Sequence, residues 1–574
     1  MPRRYTRRMT ERTASAVDRI ADSYVEKAVA ADPLLATALG VPGHDREMSD
    51  FSPAALEREA DLMRCTLREL DAAEQRERLD EQDRVTIAAM RDRFQLALAM
   101  HEKLIPHSTV NNISCPLQAV RSVFDQMPST TGEHWDVIAD RLAAIPQALD
   151  SFAHSLRYAA DRGVLSPQRQ LQIGADEARG FAETGGFFDE FIQAVPADLP
   201  EPLQRKLADA SAMARGAYAA IANELESLMS QAPAADAVGE EVYRLFSYSF
   251  LGAQIDLDDT YEWGVQELLA IVAEQKEIAA RLNQHYGNGG GDSIQAAEAS
   301  LNADGRYLLH GTDALQQWMQ QLSDRAVADL NGSHFDIPQE LHRLECMIAR
   351  TGSGGIYYTP PSEDLSRPGR MWWDVPDGVA DFHTWQETTT VYHEGVPGHH
   401  LQCGIQAMQA AQLNRWRASF CWISGHGEGW ALYAERLMDE LGFLSADADR
   451  LGMLSAQRMR AGRVVLDIGL HCGKPVPAEF GGGEWTYDKA WEFMTDHWGI
   501  EENQRRFELH RYLGWPGQAP SYKVGQRIWE RLRRESTLDS REFHERALRL
   551  GSLPLDILEQ VLADESAAPN GADA

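Results

Sequence analysis

Residues 54–103 read AALEREADLMRCTLRELDAAEQRERLDEQDRVTIAAMRDRFQLALAMHEK, and their apolar side chains recur three to four residues apart. This spacing is the helical period, because residues three and four apart share one face of a helix. The same spacing recurs in further stretches, at 14–40, 134–162, 166–194, 201–231 and 257–285, and from about 386 to 564. The pattern predicts a mostly α-helical protein.

The domain organisation follows from the length of 574 residues, which suits one large helical domain or two to three ordinary ones. We expect a single large helical domain over residues 1–564 with two lobes, approximately 1–290 and 291–564. The last ten residues, ESAAPNGADA at 565–574, are predicted to be a disordered tail.

Composition excludes several classes of partner. The chain has 87 acidic and 55 basic residues, a net charge of −32, which disfavours nucleic acid and anionic membranes as partners. No stretch approaches the ~20 apolar residues of a membrane span. The basic N-terminus has no apolar run behind it, so a secretory signal is not expected. Six cysteines without CxxC pairs predict reduced thiols and a cytoplasmic location; the oligomeric state is not indicated.

One region is typical of strands. The segment GSGGIYYTPPSEDLSRPGRMWWDVP (352–376) contains two short aromatic runs, Ile356 to Thr359 and Met371 to Asp374, joined by a Pro- and Gly-rich connector. An exposed edge of such a patch could pair with an extended peptide. Tyr357 and Tyr358 are therefore candidate substrate-binding residues.

Residues 391–402, VYHEGVPGHHLQ, resemble a zinc-binding helix, but the spacing of the histidines is too long for one. On a regular helix, His400 would lie about 10 Å along the axis from His393. His399 would point about 120° away from His393. No uninterrupted helix can therefore bring these imidazoles to one ion.

The same stretch contains residues that interrupt helices. Pro397 removes a helical hydrogen bond, and Gly398 tolerates backbone angles closed to other residues. A bulge over Gly395–Gly398 would absorb two extra residues and bring His399 to the position of an i+4 ligand. This interpretation makes His393 and His399 metal ligands, and leaves His400 in a supporting, substrate-facing or alternative ligand role.

A third ligand is expected in GHGEGWALYAERLMDELG (425–442). Glu428 is predicted to lie at the start of a helix, where the helix dipole favours an ionised carboxylate. Glu435, two turns later, is a candidate to support a ligand or to replace one. Catalytic zinc keeps its fourth position open to water, so three protein ligands suffice.

These motifs carry a specific resemblance. HEGVPGHHLQ (393–402) followed by EGWALYAE (428–435) resembles the bacterial family catalogued as domain of unknown function eight-eighty-five. Further blocks resemble the family at both ends of the chain, DPLLATALGVPGHD (32–45), RAGRVVLDIGLH (460–471), RYLGWPGQAPSYKVG (511–525) and LPLDILEQVL (553–562). The family is distantly similar to helical zinc peptidases such as angiotensin-converting enzyme and thimet oligopeptidase. The resemblance implies a zincin-like fold with a deep channel between two lobes and a small β patch beside the metal helix.

The resemblance also implies roles for individual residues. It implies Zn²⁺ bound by His393, His399 and Glu428, with Glu394 as the general base that takes a proton from water and passes it to the leaving amine. A donor facing the metal would stabilise the tetrahedral intermediate. Three residues could supply this donor, and they are His471, Tyr512 and Tyr522.

Three more polar residues are candidates near the site. Asp467 lies four residues before His471 and could orient either that residue or a zinc histidine. Arg511 and Lys523 could bind a substrate carboxylate. The leading hypothesis is a zinc metallopeptidase acting on short peptides. The alternatives are an amidase or N-acyl hydrolase of small molecules, and a non-catalytic helical binding protein that contains a metal.

Overall fold

The structure is a computed structural model that describes residues 12–196, 199–349, 355–362, 365–376 and 378–567. It confirms the predicted mostly α-helical fold. Of the tail predicted to be disordered, residues 565–567 are helical and 568–574 lie outside the described residues. Within the described ranges, no helix is both long enough and apolar enough to cross a membrane.

The helices are numbered in chain order, and short 3₁₀ and π turns are left without labels. They are α1 Ala16–Ala31, α2 Pro33–Ala38, α3 Pro53–Arg76, α4 Glu81–Glu102, α5 Ile105–Ser108, α6 Pro116–Ser122, α7 Gly132–Ala160, α8 Gln168–Ala182, α9 Phe187–Gln193, α10 Glu201–Leu228, α11 Glu240–Leu251, α12 Leu257–Tyr286, α13 Ile294–Asn302, α14 Thr312–Leu330, α15 Thr384–Glu394, α16 His399–Met408, α17 Ser424–Glu440, α18 Asp447–His471, α19 Tyr487–His497, α20 Glu502–Gly514, α21 Ser521–Glu535, α22 Ser540–Arg549 and α23 Leu555–Ala567. The strands are β1 Leu308–His310, β2 Leu344–Ala349, β3 Ile356–Thr359, β4 Gly369–Asp374 and β5 Asp381–His383.

The stretch 54–103 forms two helices, because a capping box starts a new helix in the middle of the apolar pattern. The Asp80 carboxylate accepts a hydrogen bond from the backbone N–H of Asp83 at 2.8 Å, and the Asp83 carboxylate accepts one from the N–H of Asp80 at 3.1 Å. These bonds satisfy N–H groups that the first turn of α4 leaves without helical partners. The capping residues fit the polar side of the helical pattern, so periodicity alone does not reveal the break.

The chain divides into two compact units. One unit comprises Ser15–Leu245 and Glu501–Pro516, and the other contains Phe246–Ile500 and the described residues from Gly517 onward. The division therefore falls at residue 245, whereas the predicted lobes divide near 290. The segment that carries α20 joins the unit formed by the N-terminal helices.

The core of the N-terminal unit lies where α7 and α8 pack on α10. Fully buried apolar side chains such as Leu142 and Leu225 fill the space between these helices. The Tyr218 hydroxyl donates to the Leu117 carbonyl oxygen at 2.8 Å, so the buried phenol keeps a partner. The Gln170 amide donates to the His510 carbonyl oxygen at 3.1 Å and thereby ties α20 to α8.

The β structure lies in the other unit. The order of the three-stranded sheet is β2-β4-β3, with β2 parallel and β3 antiparallel to β4. The two predicted runs correspond to β3 and β4, and the structure adds β2 and a separate antiparallel pair of β1 with β5. Short apolar runs such as LECMIA in β2 do not distinguish a strand from a helix by periodicity, which explains why these strands were not predicted.

Glycines allow α17 and α21 to cross with their backbones in contact. A Cβ atom added to Gly525 would lie 2.2 Å from the carbonyl oxygen of Gly425, and one added to Gly429 would lie 2.6 Å from the carbonyl carbon of Gly525. Real side chains essentially never approach backbone atoms this closely. This crossing fixes the position of the turn of α17 that carries Glu428.

A buried aromatic cluster supports α17 from behind. Trp430 packs against Trp529 with ring centroids 5.1 Å apart and against His544 at 5.5 Å. The hydroxyl of Tyr433 lies 2.6 Å from Nε2 of His544. Burial, with a contribution from the charge of Arg533, lowers the pKa of His544 to about 3.

This low pKa predicts that acid weakens the fold. The unfolded chain takes up a proton at His544 near pH 6.5, whereas the folded chain does so only near pH 3, so stability falls as the pH drops through this window. Below about pH 6.5 we expect this residue to contribute a loss on the order of 1 kcal/mol per pH unit. His544→Gln should therefore show a smaller drop in melting temperature between pH 7 and pH 5 than the wild type. His285→Gln, at an exposed position of α12, is the control and should behave as the wild type.

Candidate metal centre

One helix ends and another begins between His393 and His399. α15 ends at Glu394 and α16 begins at His399. The predicted bulge inside one continuous helix is wrong, because Gly395–Gly398 forms a connection between two separate helices. In this connection the N–H of Gly398 donates to the Tyr392 carbonyl oxygen at 3.1 Å, and that of His400 donates to the Gly395 carbonyl oxygen at 3.1 Å. The Val396–Pro397 peptide is cis.

The connection is possible because Gly398 packs directly on the end of α15. A Cβ atom at this position would lie 1.9 Å from the His393 carbonyl oxygen. On the other side, the Trp430 indole N–H donates to the Pro397 carbonyl oxygen at 2.9 Å. Trp430 is fully buried, so α17 holds the connection in place.

This connection brings His393, His399 and Glu428 together. Nε2 of His393 lies 3.4 Å from Oε2 of Glu428, and Nε2 of His399 lies 3.5 Å from the same oxygen. Their potential ligand atoms all lie within 4.8 Å of one another. The two imidazole rings are nearly perpendicular, at 88°. Both histidines are buried, and the Glu428 side chain is 20% exposed.

The geometry of this cluster fits a tetrahedral divalent ion. Ligand atoms about 2.0–2.1 Å from such an ion lie roughly 3.3 Å apart, close to the observed separations. The Nδ1 atoms of His393 and His399 face the side-chain oxygens of Glu435 and Gln402, at 2.8 and 3.4 Å. An N–H at Nδ1 therefore leaves a lone pair on each Nε2 directed at the Glu428 carboxylate. These atoms repel one another unless a metal ion lies between them or a proton on Nε2 is donated to Glu428.

Glu435 is fully buried and orients His393. Its Oε1 accepts the hydrogen bond from Nδ1 of His393, and its Oε2 accepts from the Thr389 hydroxyl at 3.0 Å and from the Gln457 amide at 3.3 Å. The Arg460 guanidinium lies 3.8 Å from Oε1. A carboxylate behind a metal-binding histidine fixes the tautomer and ring orientation and raises the basicity of the ligand.

The hydrogen-bond network extends from Glu435 to Lys523. The Lys523 ammonium donates to Oε1 of Gln457 at 2.6 Å and forms an ion pair with Glu267 at 2.9 Å. Lys523 is 1% exposed, and burial lowers its pKa. Lys523 was predicted to bind substrate, but the structure places it in the hydrogen-bond network that holds Glu435 behind His393.

The carboxylate of Glu428 and the histidines that face it stabilise each other's charged forms. Burial opposes ionisation of Glu428, but hydrogen bonds with both histidines hold its pKa below the ordinary value. Burial likewise opposes protonation of His393, but Glu428 and Glu435 raise its pKa to about 10. Glu428 lies one turn inside α17, not at its start as predicted, so these neighbours account for its ionisation.

Glu394 differs from the other two acidic residues of the site. Burial raises its pKa, although the nearby charges of His393 and His399 oppose the shift. Among the described residues, no hydrogen-bond donor engages its carboxylate. A buried carboxylate without donors is well suited to accept a proton.

His400 is fully buried and has partners at both ring nitrogens. The Tyr358 hydroxyl lies 2.9 Å from its Nδ1, and the Leu341 carbonyl oxygen lies 2.9 Å from its Nε2. The neutral ring donates from Nε2 and accepts at Nδ1. This bonding leaves His399, and not His400, facing Glu428.

The remaining predicted residues have various surroundings. Tyr512 and Arg511 belong to the N-terminal unit, where both contact Glu508. In the unit that contains the cluster, Tyr522 lies under the Arg463 guanidinium, and Asp467 accepts a hydrogen bond from the N–H of Gly517 at 2.8 Å. His471 is buried in α18, and Tyr357 is exposed and stacked on Trp372. The role predicted for Asp467 in orienting a histidine, and the roles predicted for the other residues towards a substrate, stay predictions.

Two residues important for this arrangement were not predicted from the sequence. Trp430 lies in the quoted motif EGWALYAE, where its position two residues after Glu428 was the available signal. Gln457 lies in α18 without any recognisable motif, and only the three-dimensional structure identifies it as the link between Glu435 and Lys523.

The fold and cluster define a mostly α-helical protein with a candidate metal centre of two histidines and one glutamate. The chain belongs to the family described as bacterial protein of unknown function (DUF885), whose model matches residues 33–562. No match was found among curated proteins.

Two solved structures share the fold. One is "the putative lipoprotein from Colwellia psychrerythraea", with a TM-score of 0.79 and 22% identity over 96% of this chain and 99% of that one. The other is "a putative lipoprotein of unknown function from Shewanella oneidensis", with a TM-score of 0.73 and 15% identity over 96% of this chain and 100% of that one. At these identities the similarity concerns the fold alone.

The close approach of Gly398 leads to a stability prediction. Gly398→Ala should destabilise the protein by at least about 2 kcal/mol, because the added methyl group would displace the backbone at the end of α15. Gly305→Ala is the control, since a Cβ atom there meets nothing within 4 Å. Thermal denaturation measures both effects. Equal melting temperatures for the two variants would contradict the tight packing at Gly398.

Proposed function

We propose that the protein is a zinc-dependent metallopeptidase that hydrolyses short peptides. The observation that carries the proposal is the convergence of both Nε2 atoms on Oε2 of Glu428, with Glu394 next to His393. In this proposal His393, His399 and Glu428 hold the metal. A bound zinc ion supplies Lewis-acid activation of water and of the substrate carbonyl.

Glu394 acts as the general base. Its raised pKa suits a carboxylate that takes a proton from the attacking water and returns it to the leaving amine. Both transfers need a carboxylate oxygen that does not already accept a hydrogen bond from the protein. Among the described residues, none donates a hydrogen bond to Glu394. Glu435 keeps His393 in one tautomer during these steps.

Glu394 also distinguishes the proposal from a metal-containing binding protein. Binding of a divalent ion uses the three ligands and the support of Glu435, and it does not need a further buried carboxylate. Glu394 is 6% exposed, and burying a carboxylate costs free energy. We infer that this cost is retained because the carboxylate takes part in proton transfer.

The proposed substrate is an extended peptide. β3 is an edge strand of its sheet among the described residues, and Tyr358 in β3 contacts His400, the neighbour of His399. An extended chain that pairs with this edge would lie beside the cluster. A small amide is the alternative substrate class. We retain the cytoplasm as the proposed location, to be tested by cell fractionation.

Metal analysis tests the ligand assignment. We expect the wild type to retain one zinc ion per chain after dialysis, and His399→Gln to lose affinity by more than the roughly 10–100-fold typical of a supporting residue. His400→Gln is the matched control at the adjacent position and should retain zinc, because both nitrogens of His400 bind other groups. Loss of zinc in His400→Gln with retention in His399→Gln would reverse the assignment.

A second pair of variants tests the general base. Glu394→Gln should bind zinc as the wild type does and lower kcat on short peptides by about 10²–10⁴-fold. Glu387→Gln is the control, since it removes another carboxylate of α15 whose pKa burial raises to about 7. Peptide cleavage is followed by mass spectrometry. Unchanged turnover in Glu394→Gln, or no turnover in the zinc-loaded wild type, would contradict the proposed function.

A further inference from the structure

A large apolar side chain is exposed directly beside the candidate metal centre. Trp422, in the connection that precedes α17, is 48% exposed. Its ring centroid lies 6.3 Å from that of His399, at an interplanar angle of 50°. Tryptophan is enriched at binding surfaces, where its large apolar ring and its indole N–H can both contact a ligand.

The backbone around Trp422 is held on both sides. The N–H of Cys421 donates to the Trp416 carbonyl oxygen at 2.9 Å, and that of Ile423 donates to the Ser552 hydroxyl at 3.0 Å. Cys421 and Ile423 are buried, at 3% and 2% exposure. The tryptophan is therefore presented from an anchored segment, which lowers the entropic cost of binding a ligand against it.

Gly427 lets the indole ring lie against the first turn of α17. A Cβ atom at Gly427 would lie 2.5 Å from Cη2 of Trp422. The ring therefore lies near His399 and packs against Gly427, the residue that immediately precedes Glu428. His399 and Glu428 are two of the three proposed ligands. A side chain at residue 427 would push the ring away from this position.

We propose that Trp422 is a specificity-determining residue that forms the apolar wall of the subsite next to the scissile bond. This inference rests on the proposed function and names its substrate class, which is short peptides with an aromatic or large aliphatic residue beside the cleaved bond. Indole faces bind such side chains by area burial and by ring stacking.

The test is a set of short peptides that differ only at the residues flanking the cleaved bond, with Phe, Leu or Ala at each position in turn. We expect Trp422→Ala to lower kcat/KM for the Phe and Leu peptides by roughly 10-fold or more and for the Ala peptides by less than about 2-fold. Trp422→Phe should restore most of the loss. Gly427→Ala should act in the same direction as Trp422→Ala, because it displaces the same ring.

Phe507→Ala is the control, since Phe507 is another exposed aromatic residue, at 44%, in the N-terminal unit. It should leave the peptide preference unchanged. An equal effect of Trp422→Ala on all peptides would overturn the proposed role of Trp422. It would leave the proposed peptidase function standing.

A binding measurement separates the inference from the proposed function. Calorimetry in the Glu394→Gln background measures peptide affinity without turnover. Weaker binding of the Phe peptide, but not of the Ala peptide, on adding Trp422→Ala would support the subsite even if the wild type cleaved none of these peptides. Equal affinities with and without Trp422 would overturn it.

Discussion

The arrangement of the site depends on the contact between Gly398 and the end of α15. Because residue 398 has no side chain, the chain can turn against the His393 carbonyl oxygen and begin α16 at His399. This short connection places both imidazoles on one carboxylate oxygen despite a spacing that no regular helix could accommodate. The indole of Trp430 holds the connection from α17, the helix that carries Glu428.

The connection between α15 and α16 gathers several charged side chains in one buried site. Three carboxylates, those of Glu394, Glu428 and Glu435, surround two histidines in a region that excludes most water. Glu435 is balanced by its hydrogen bonds and by Arg460, whereas Glu428 is balanced, within the described part of the chain, by the two histidines that face it. A divalent cation would satisfy the Nε2 lone pairs and the Glu428 charge together, and would leave Glu394 available for proton transfer.

Sequence reasoning identified the helical fold, the strands β3 and β4, and the group of His393, His399 and Glu428 that the structure brings together. These features have local signals, which are helical periodicity, aromatic runs and helix-breaking residues. The network through Gln457 and Lys523, the partners of His400 and the parallel strand β2 have no local signal, because they depend on which distant segments meet. Lys523 illustrates the difference, since the sequence predicts that it binds a substrate carboxylate and the structure buries it against Gln457 and Glu267.

The most direct measurement of metal binding is anomalous diffraction at the zinc absorption edge, on crystals of the zinc-loaded protein. We expect one strong peak about 2.0–2.1 Å from Nε2 of His393 and of His399 and about 2.0–2.2 Å from a carboxylate oxygen of Glu428. A crystal with no peak between these three side chains, or with its peak bound elsewhere, would contradict the assignment of this cluster as a zinc site.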